Sequence, residues 1–278
     1  MTEIDNQYIF SKQELLYNPK QHNPTVFVYG LGSGGSHLTV ALAKTGITNI
    51  TVYDYDFVEL DNIPAQFYTV QQGRTKMLKT LATAENVKNL TDTDIQTENI
   101  KIDENFQPQV VKDSIHVLAI DNIETRKLLA NKLKGFPVHV IDGRIGGFNY
   151  ELHYFRADNE KQTEDYLKSL EGTFAELRCG EKCLWALNAL TASKTVANII
   201  KLTKEKPPSL MVNGHLLTDT VLEKKQPVEP NTKPEYRENN IHLYGDNESV
   251  YANLNTNTEE ETDEDNDNDD EDEESEDW

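Results

Sequence analysis

Four glycines, Gly30, Gly32, Gly34 and Gly35, followed by an acid at Asp54, are residue types whose spacing could hold a nucleotide. In the run YGLGSGGS, Tyr29 to Ser36, Gly30, Gly32 and Gly35 fall on the GxGxxG spacing, with Gly34 as an extra glycine beside the last. The first glycine permits a tight turn, the second lets backbone approach a phosphate, and the third lets a helix pack close to a strand. The exposed N–H groups at the start of that helix, with their partial positive charge, would face the anion. Asp54 follows Gly30 by 24 residues, about where such a unit sets a carboxylate against a ribose hydroxyl. The glycines could also form no more than a turn, but a strand before them, a helix after them and an acid on schedule argue for the nucleotide. Which nucleotide they do not say. A dehydrogenase and an adenylating enzyme can both begin this way.

Positioning these residues requires a strand at Val26–Tyr29, a helix from Ser36 and a second strand at Ile50–Tyr53. The alternation then continues. A loop through Gly73 leads to a helix from Arg74 to about Asn86, with Met77, Leu78, Leu81 and Ala82 as its apolar stripe. Strands are expected near Ile95–Ile102 and at Ile115–Ile120, the latter ending on Asp121. The carboxyl ends of such strands are where doubly wound sheets bind ligands. A helix at Glu124–Lys134, a strand at Val138–Ile141, an antiparallel strand at Tyr150–Phe155, a long helix at Leu184–Lys204 and a short strand at Leu210–Val212 complete the reading. The fold class is α/β: a Rossmann-like doubly wound, mostly parallel sheet with helices on both faces and an antiparallel extension.

The charge needs locating before it is interpreted. Of the formal −21, fifteen acids with no base among them lie between Glu259 and Asp277, so the rest of the chain carries only −6. Residues 251–278 have almost no aliphatic side chains and are read as a disordered acidic tail. The expected organisation is an extension at 1–24, a nucleotide-binding domain at 25–215, an irregular segment at 216–250, and the tail. Direct nucleic-acid binding would need a basic face and is not expected. No apolar stretch approaches the roughly 20 residues of a membrane span, and the first residues lack a secretory pattern. Two cysteines, Cys179 and Cys183, make no disulfide framework and no paired zinc site, so reduced thiols in a cytoplasmic protein are the expectation.

Beyond the glycine loop, the segments DYDFVELDNIPAQFY (54–68), GRTK (73–76), AIDNIETR (119–126) and DGRIGG (142–147) resemble the ThiF/MoeB adenylyltransferase family, the fold of the ubiquitin-activating enzymes. The family's acid-x-acid falls on Asp54 and Asp56, its Asn-x-x-Arg-Gln on Asn62 and Gln66, its lysine after a glycine on Lys76, and its Asp-Asn on Asp121 and Asn122. The resemblance implies that a protein's C-terminal carboxylate attacks the α-phosphate of ATP to give an acyl-adenylate and pyrophosphate. It implies Mg²⁺ held by Asp121, a ubiquitin-like or sulfur-carrier protein as partner, and a homodimer. Lys76 and the metal would offset charge growing on the phosphate, and Asn62 with Gln66 would add neutral hydrogen bonds. Each residue also has a plainer role open to it: Lys76 as a solvated helix residue, Asp121 as a helix cap, Asn62 as a turn residue.

The chain departs from the family pattern at Ala65, where arginine is usual, which removes a bidentate phosphate clamp. Arg144, in DGRIGG, is a candidate substitute. Cys179, just ahead of the long helix, could carry the acyl group after adenylation or serve structure alone; Cys183 is read as a small buried hydrophobe. Two other functions stay open at this point: a nicotinamide-dependent oxidoreductase and a catalytically silent nucleotide-binding protein.

Overall fold

Short apolar runs form the centre of one sheet because both of their faces are covered, which is the condition that favours parallel pairing. In the computed structural model, which describes residues 9–171, 184–218 and 220–226, these are Val26–Tyr29 (β1), Ile50–Tyr53 (β2) and Ile115–Leu118 (β4), every residue of them buried. Gln96–Glu98 (β3) is a shorter edge strand, and His139–Gly146 (β5) and Asn149–Arg156 (β6) form a long hairpin. Met211–His215 (β7) and Val221–Lys224 (β8) finish an eight-stranded sheet of order β3-β2-β1-β4-β5-β6-β7-β8. The first five strands of that order are parallel, and the β5–β6, β6–β7 and β7–β8 pairs are antiparallel. The expected fold class is therefore what the chain adopts.

Helices cover both faces. Ser33–Thr45 (α1) and Trp185–Thr203 (α6) pack on one, where Val26, Val28, Val117 and Ile141 meet Leu38, Leu42, Val196 and Ile199. Ile123–Leu133 (α4) and Glu160–Lys168 (α5) cover the other, against Phe27, Tyr29, Leu118, Val140 and Phe155. Between β2 and β3 run a 3₁₀ turn at Leu60–Asn62, a short helix at Val70–Arg74 (α2) and a longer one at Lys79–Thr91 (α3). Ahead of β1, Tyr17 is buried in the α1–α6 face, and Gln13 Nε2 donates to the Thr45 carbonyl at the end of α1.

Several boundaries differ from the sequence reading. α1 starts at Ser33 rather than Ser36, so Gly34 and Gly35 lie inside its first turn. The single helix expected from Arg74 is two, broken where Lys76 takes a φ of +48°. Restarting the helix at Lys79 changes its phase: Leu81 faces out, and Ala82, Thr83, Asn86 and Val87 face in. The strand expected at 95–102 shortens to three residues, and β5 runs on to Gly146 through the DGRIG stretch. α5 was not anticipated, although Asn159, whose side chain accepts the Gln162 N–H as its cap, was there to be read. The sheet also continues past residue 215, through β8.

Candidate functional site

β1 pairs with β2 on one side and β4 on the other, so the chain turns in opposite directions from adjacent strand ends. That crevice is where doubly wound sheets bind ligands. The glycines are built for it in different ways. Gly30 has a φ of +92°, and a Cβ there would lie 2.5 Å from the carbonyl oxygen of Ala119, beyond the end of β4. A Cβ on Gly35 would lie 1.8 Å from the Gly30 oxygen, so only glycine lets α1 sit this close to the strand. Gly32 is unlike both: among the described residues a Cβ there would meet nothing within 4 Å, so they leave the space over the turn open. Gly34 makes only ordinary contact, with the Ala119 Cβ at 3.9 Å. α1 begins on Gly32 with no side-chain cap and no acid in its first turn. A 13-residue helix so begun presents its positive end to whatever anion enters.

Asp54 leaves β2 beside this loop and accepts two backbone donors, Leu31 N–H at Oδ2 (2.6 Å) and Asp56 N–H at Oδ1 (2.8 Å). It braces the glycine turn and retains a second lone pair on each oxygen for a further donor. The Tyr68 hydroxyl, buried, braces the same loop from another side by donating to the Leu31 carbonyl at 2.7 Å. The 62–67 loop lies on the first turn of α1: Ser36 Oγ donates to the Gly32 carbonyl and accepts the Phe67 N–H. Within that loop the Ala65 carbonyl is met by Asn188 Nδ2 (2.7 Å) and His37 Nε2 (3.2 Å). Burial holds the His37 ring below its usual pKa, against the opposing pull of the Ala65 carbonyl. Gln66 Oε1 is buried without a donor among the described residues, and Asn62 Nδ2 turns to Asp61. Asn188 lies outside every motif segment, and Tyr68, though it ends the 54–68 segment, matches none of that segment's pattern residues.

Lys76 sits just past the end of α2 in the left-handed region, with its N–H on the Gly73 carbonyl and the Met77 N–H on the Gln72 carbonyl. Glycine is the usual residue at such a helix end. A lysine there costs on the order of 1 kcal/mol or more in backbone strain. Its ammonium is exposed and makes no ion pair among the described residues. The turn is stitched to the segment after Asp56 through Val58 N–H to the Met77 carbonyl and a bridge between Phe57 and Leu78. The carboxylate of Asp56 pairs with Lys79, a buried lysine at the head of α3.

At the end of β4, Asp121 is exposed and its carboxylate is without a partner among the described residues. The cap of α4 is Asn122, whose Oδ1 accepts from Thr125 N–H and Oγ1. Asp121 is thereby released from the capping role open to it in the sequence. Arg126 pins this turn: Nε donates to the Ile120 carbonyl (2.6 Å), Nη1 to Asp142 Oδ1 (2.7 Å) and Nη2 to the Gly143 carbonyl (3.4 Å). Asp142, at zero exposure, also receives Arg144 Nε (2.7 Å) and the Tyr166 hydroxyl (3.0 Å). Burial alone would raise its pKa, but Arg126 and Arg144 outweigh that and hold it below the usual carboxylate range. Arg144 also donates to the Ser169 carbonyl and Oγ, and its Nη1 lies 3.6 Å from Glu151 Oε2. Cys179 and Cys183 lie outside the described residues.

This arrangement fits a nucleoside triphosphate. The open space at Gly32 and the uncapped helix suit phosphate, and Asp54 suits a ribose hydroxyl. No three His, Cys, Asp or Glu side chains gather into a metal cage among the described residues. Asp121 by itself fits Mg²⁺, which takes one or two carboxylates and completes its shell with phosphate oxygens and water. Two surface concavities, about 800 Å³ beside Arg156 and Glu164 and about 440 Å³ beside His139 and Leu202, include no residue of the glycine loop in their linings. No helix among the described residues is long and apolar enough to cross a membrane.

The ThiF family model matches residues 6–238. Over 179 residues the chain is 31% identical to the tRNA threonylcarbamoyladenosine dehydratase of Haemophilus influenzae, covering 60% of this chain and 67% of that one. It is 27% identical over 177 residues to the molybdopterin-synthase adenylyltransferase of the same organism, covering 59% and 72%. With ubiquitin-like modifier-activating enzyme 5 of Drosophila simulans it shares 37% identity over 139 residues, which is 49% of this chain and only 30% of that enzyme. Among solved structures, Escherichia coli MccB with AMPCPP and MccA superposes with a TM-score of 0.62 at 17% identity, covering 83% of this chain and 75% of that one.

Proposed function

The chain belongs to the ThiF family, and from that premise we propose that it adenylates the C-terminal carboxylate of a ubiquitin-like or sulfur-carrier protein, using ATP and releasing pyrophosphate. One observation carries the reading: α1 starts uncapped over the open space at Gly32, with Asp54 braced on one side and the end of β4 on the other. A carboxylate oxygen of the carrier forms a bond to the α-phosphorus while the bond from that phosphorus to the pyrophosphate oxygen breaks. The carrier's carboxylate is ionised at neutral pH, so no general base is needed. The backbone N–H groups at the head of α1 bind phosphate, and Asp54 accepts from the ribose. Lys76 sets its ammonium against the charge that grows on the transferred phosphorus, a preorganised group in the sense that matters for rate. Asn62 and Gln66 line the same loop with neutral groups. Mg²⁺, held by Asp121 when bound, would draw charge from the phosphates and ease departure of pyrophosphate.

Arg144 and Asn122 take supporting places in this reading, Arg144 in the clasp on Asp142 and Asn122 as the cap of α4. Ala65 leaves the site without an arginine on that loop, so Lys76 carries the phosphate charge. After adenylation, the thiolate of Cys179 would attack the acyl carbon, expel AMP and form a thioester. A homodimer is part of the same proposal. The ThiF match separates the chain from the nicotinamide oxidoreductases that share its glycine loop. A tRNA substrate, as the dehydratase's name indicates for that relative, is opposed here by the fifteen acids between Glu259 and Asp277 and by a remaining chain that is itself net −6 rather than basic.

Exchange of labelled pyrophosphate into ATP, run with candidate carriers and Mg²⁺, tests the reading. Carrier-dependent return of label is the expected result. Calorimetry showing tight NAD binding and no response to ATP would overturn it.

A further inference from the structure

Lys79 is a buried lysine to which none of the preceding chemistry gives a task. Its side chain is 9% exposed, and its ammonium lies 3.2 Å from Asp56 Oδ2. Its own N–H donates to the Asp56 carbonyl at 2.9 Å, so residue 56 is gripped at both its backbone and its carboxylate. The N–H of Asp56 in turn donates to Asp54 Oδ1 at 2.8 Å, while the glycine loop, through Leu31 N–H, holds Oδ2 at 2.6 Å. A chain of contacts thus runs from the head of α3 through Asp56 to the carboxylate at the end of β2.

We propose that Lys79 is a positioning residue for nucleotide ribose recognition, acting through Asp56 to fix the rotation of the Asp54 carboxylate. The inference rests on Asp54 meeting the ribose, as set out above. With one N–H on each oxygen, the carboxylate has a single orientation, and its two remaining lone pairs face fixed directions. Two vicinal hydroxyls can meet a carboxylate only if that direction is set beforehand. Lys79 is suited to the task because an ammonium buried on a flexible stem stays only where an anion and packing hold it. Without the ammonium, residue 56 would be held to the head of α3 by the Lys79 N–H alone, and its half-exposed carboxylate would turn to water and loosen the backbone that offers an N–H to Asp54.

The test is the affinity of the full chain for ATP and for 2′,3′-dideoxy-ATP, each with Mg²⁺, by calorimetry. The wild type should prefer ATP by about tenfold or more, the worth of hydrogen bonds to a charged group. Lys79→Met keeps the stem and leaves only the half-exposed Asp56 unpaired, so the fold should persist. Its preference should fall to within about twofold, with the dideoxy affinity unchanged. Lys79→Arg should restore most of the preference. Asp56→Asn, on an exposed loop, should lose it as Lys79→Met does, and stands in if that variant unfolds. Full preference in a folded Lys79→Met or Asp56→Asn chain would overturn the proposal, as would an equal loss for both nucleotides. A wild type that binds neither nucleotide would remove the ATP reading itself, and this inference with it.

Discussion

Lys76 poses the sharpest question at the scale of single residues, because it holds a backbone conformation that glycine prefers. Strain of that kind persists where the surrounding structure over-determines it, often at sites where a side chain must be aimed. If the lysine is there for its charge, Lys76→Gly should fold with stability equal to or up to about 1 kcal/mol above the wild type. The same variant should lose on the order of 10²-fold in pyrophosphate exchange. Urea unfolding and the exchange assay read the two effects separately, and full exchange by the glycine variant would remove Lys76 from the mechanism. Cys179 makes a different prediction. The group that attacks ATP belongs to the carrier, so Cys179→Ala should retain exchange and lose any carrier adduct that thiol reagents cleave. Loss of exchange in that variant would place the cysteine at the nucleotide instead.

At the scale of elements, the turn after β4 is tied to the middle of β5 by a charged clasp in addition to apolar packing. Arg126 on α4 reaches the Ile120 carbonyl, Asp142 and the Gly143 carbonyl with one guanidinium, and Arg144 and Tyr166 close the other side of Asp142. The buried carboxylate is the one anion paired with Arg126 among the described residues, whereas Arg144 also has Glu151. Arg126→Met should therefore cost up to about 3–5 kcal/mol, the cost of removing one partner of a buried ion, lessened by what Arg144 and Tyr166 still supply to Asp142. Arg126→Lys should cost less but still loosen the turn that carries Asp121, because an ammonium cannot supply three donors in a planar fork. Chemical denaturation measures both. Indifference to Arg126→Met would mean that Asp142 is satisfied by Arg144 and Tyr166 alone.

At the scale of the molecule, the pH dependence of stability follows from histidines kept neutral. His116 has zero exposure, with its ring nitrogens on the Tyr29 hydroxyl and Ser114 Oγ, and burial lowers its pKa to about 3. His139 is lowered to about 4, by burial first and then by Arg156, which donates to its Nε2 and so leaves the proton on Nδ1. Above the ordinary value of 6.5 both states are neutral and nothing depends on pH. Below it the unfolded chain takes up protons that the folded one refuses, so stability falls from pH 6.5 down toward pH 4. The slope is about 1.4 kcal/mol per pH unit for each such ring. Urea midpoints at pH 7.5, 6 and 5 should show the decline, and a flat profile would mean that the rings are protonated within the fold. The acidic tail should matter to none of this. Truncation before Asn255 should leave ATP binding and the urea midpoint unchanged, since that segment lacks the apolar side chains to join a core.

Local chemistry alone sufficed for most of the elements, though not for α5, β8 or the break at Lys76. Four-residue apolar runs read as buried strands. Glycines with the spacing of 30, 32 and 35 pointed to a tight turn beneath a close-packed helix, and Asp54 and Asp121 fell at strand ends because those positions follow from the alternation of elements. What each polar side chain does was decided in three dimensions. The capping task open to Asp121 went to Asn122, which presents an oxygen to Thr125. Arg144, a candidate phosphate clamp in the sequence, is held by Asp142 and Ser169, and Asp56 by Lys79. Hydrogen bonds and ion pairs are short-ranged and directional, so their partners depend on how strands and helices meet across tens of residues. The break at Lys76 has the same origin: the segment after Asp56 binds Met77 and Leu78 in extended form, and that contact overrides the helical preference of the run.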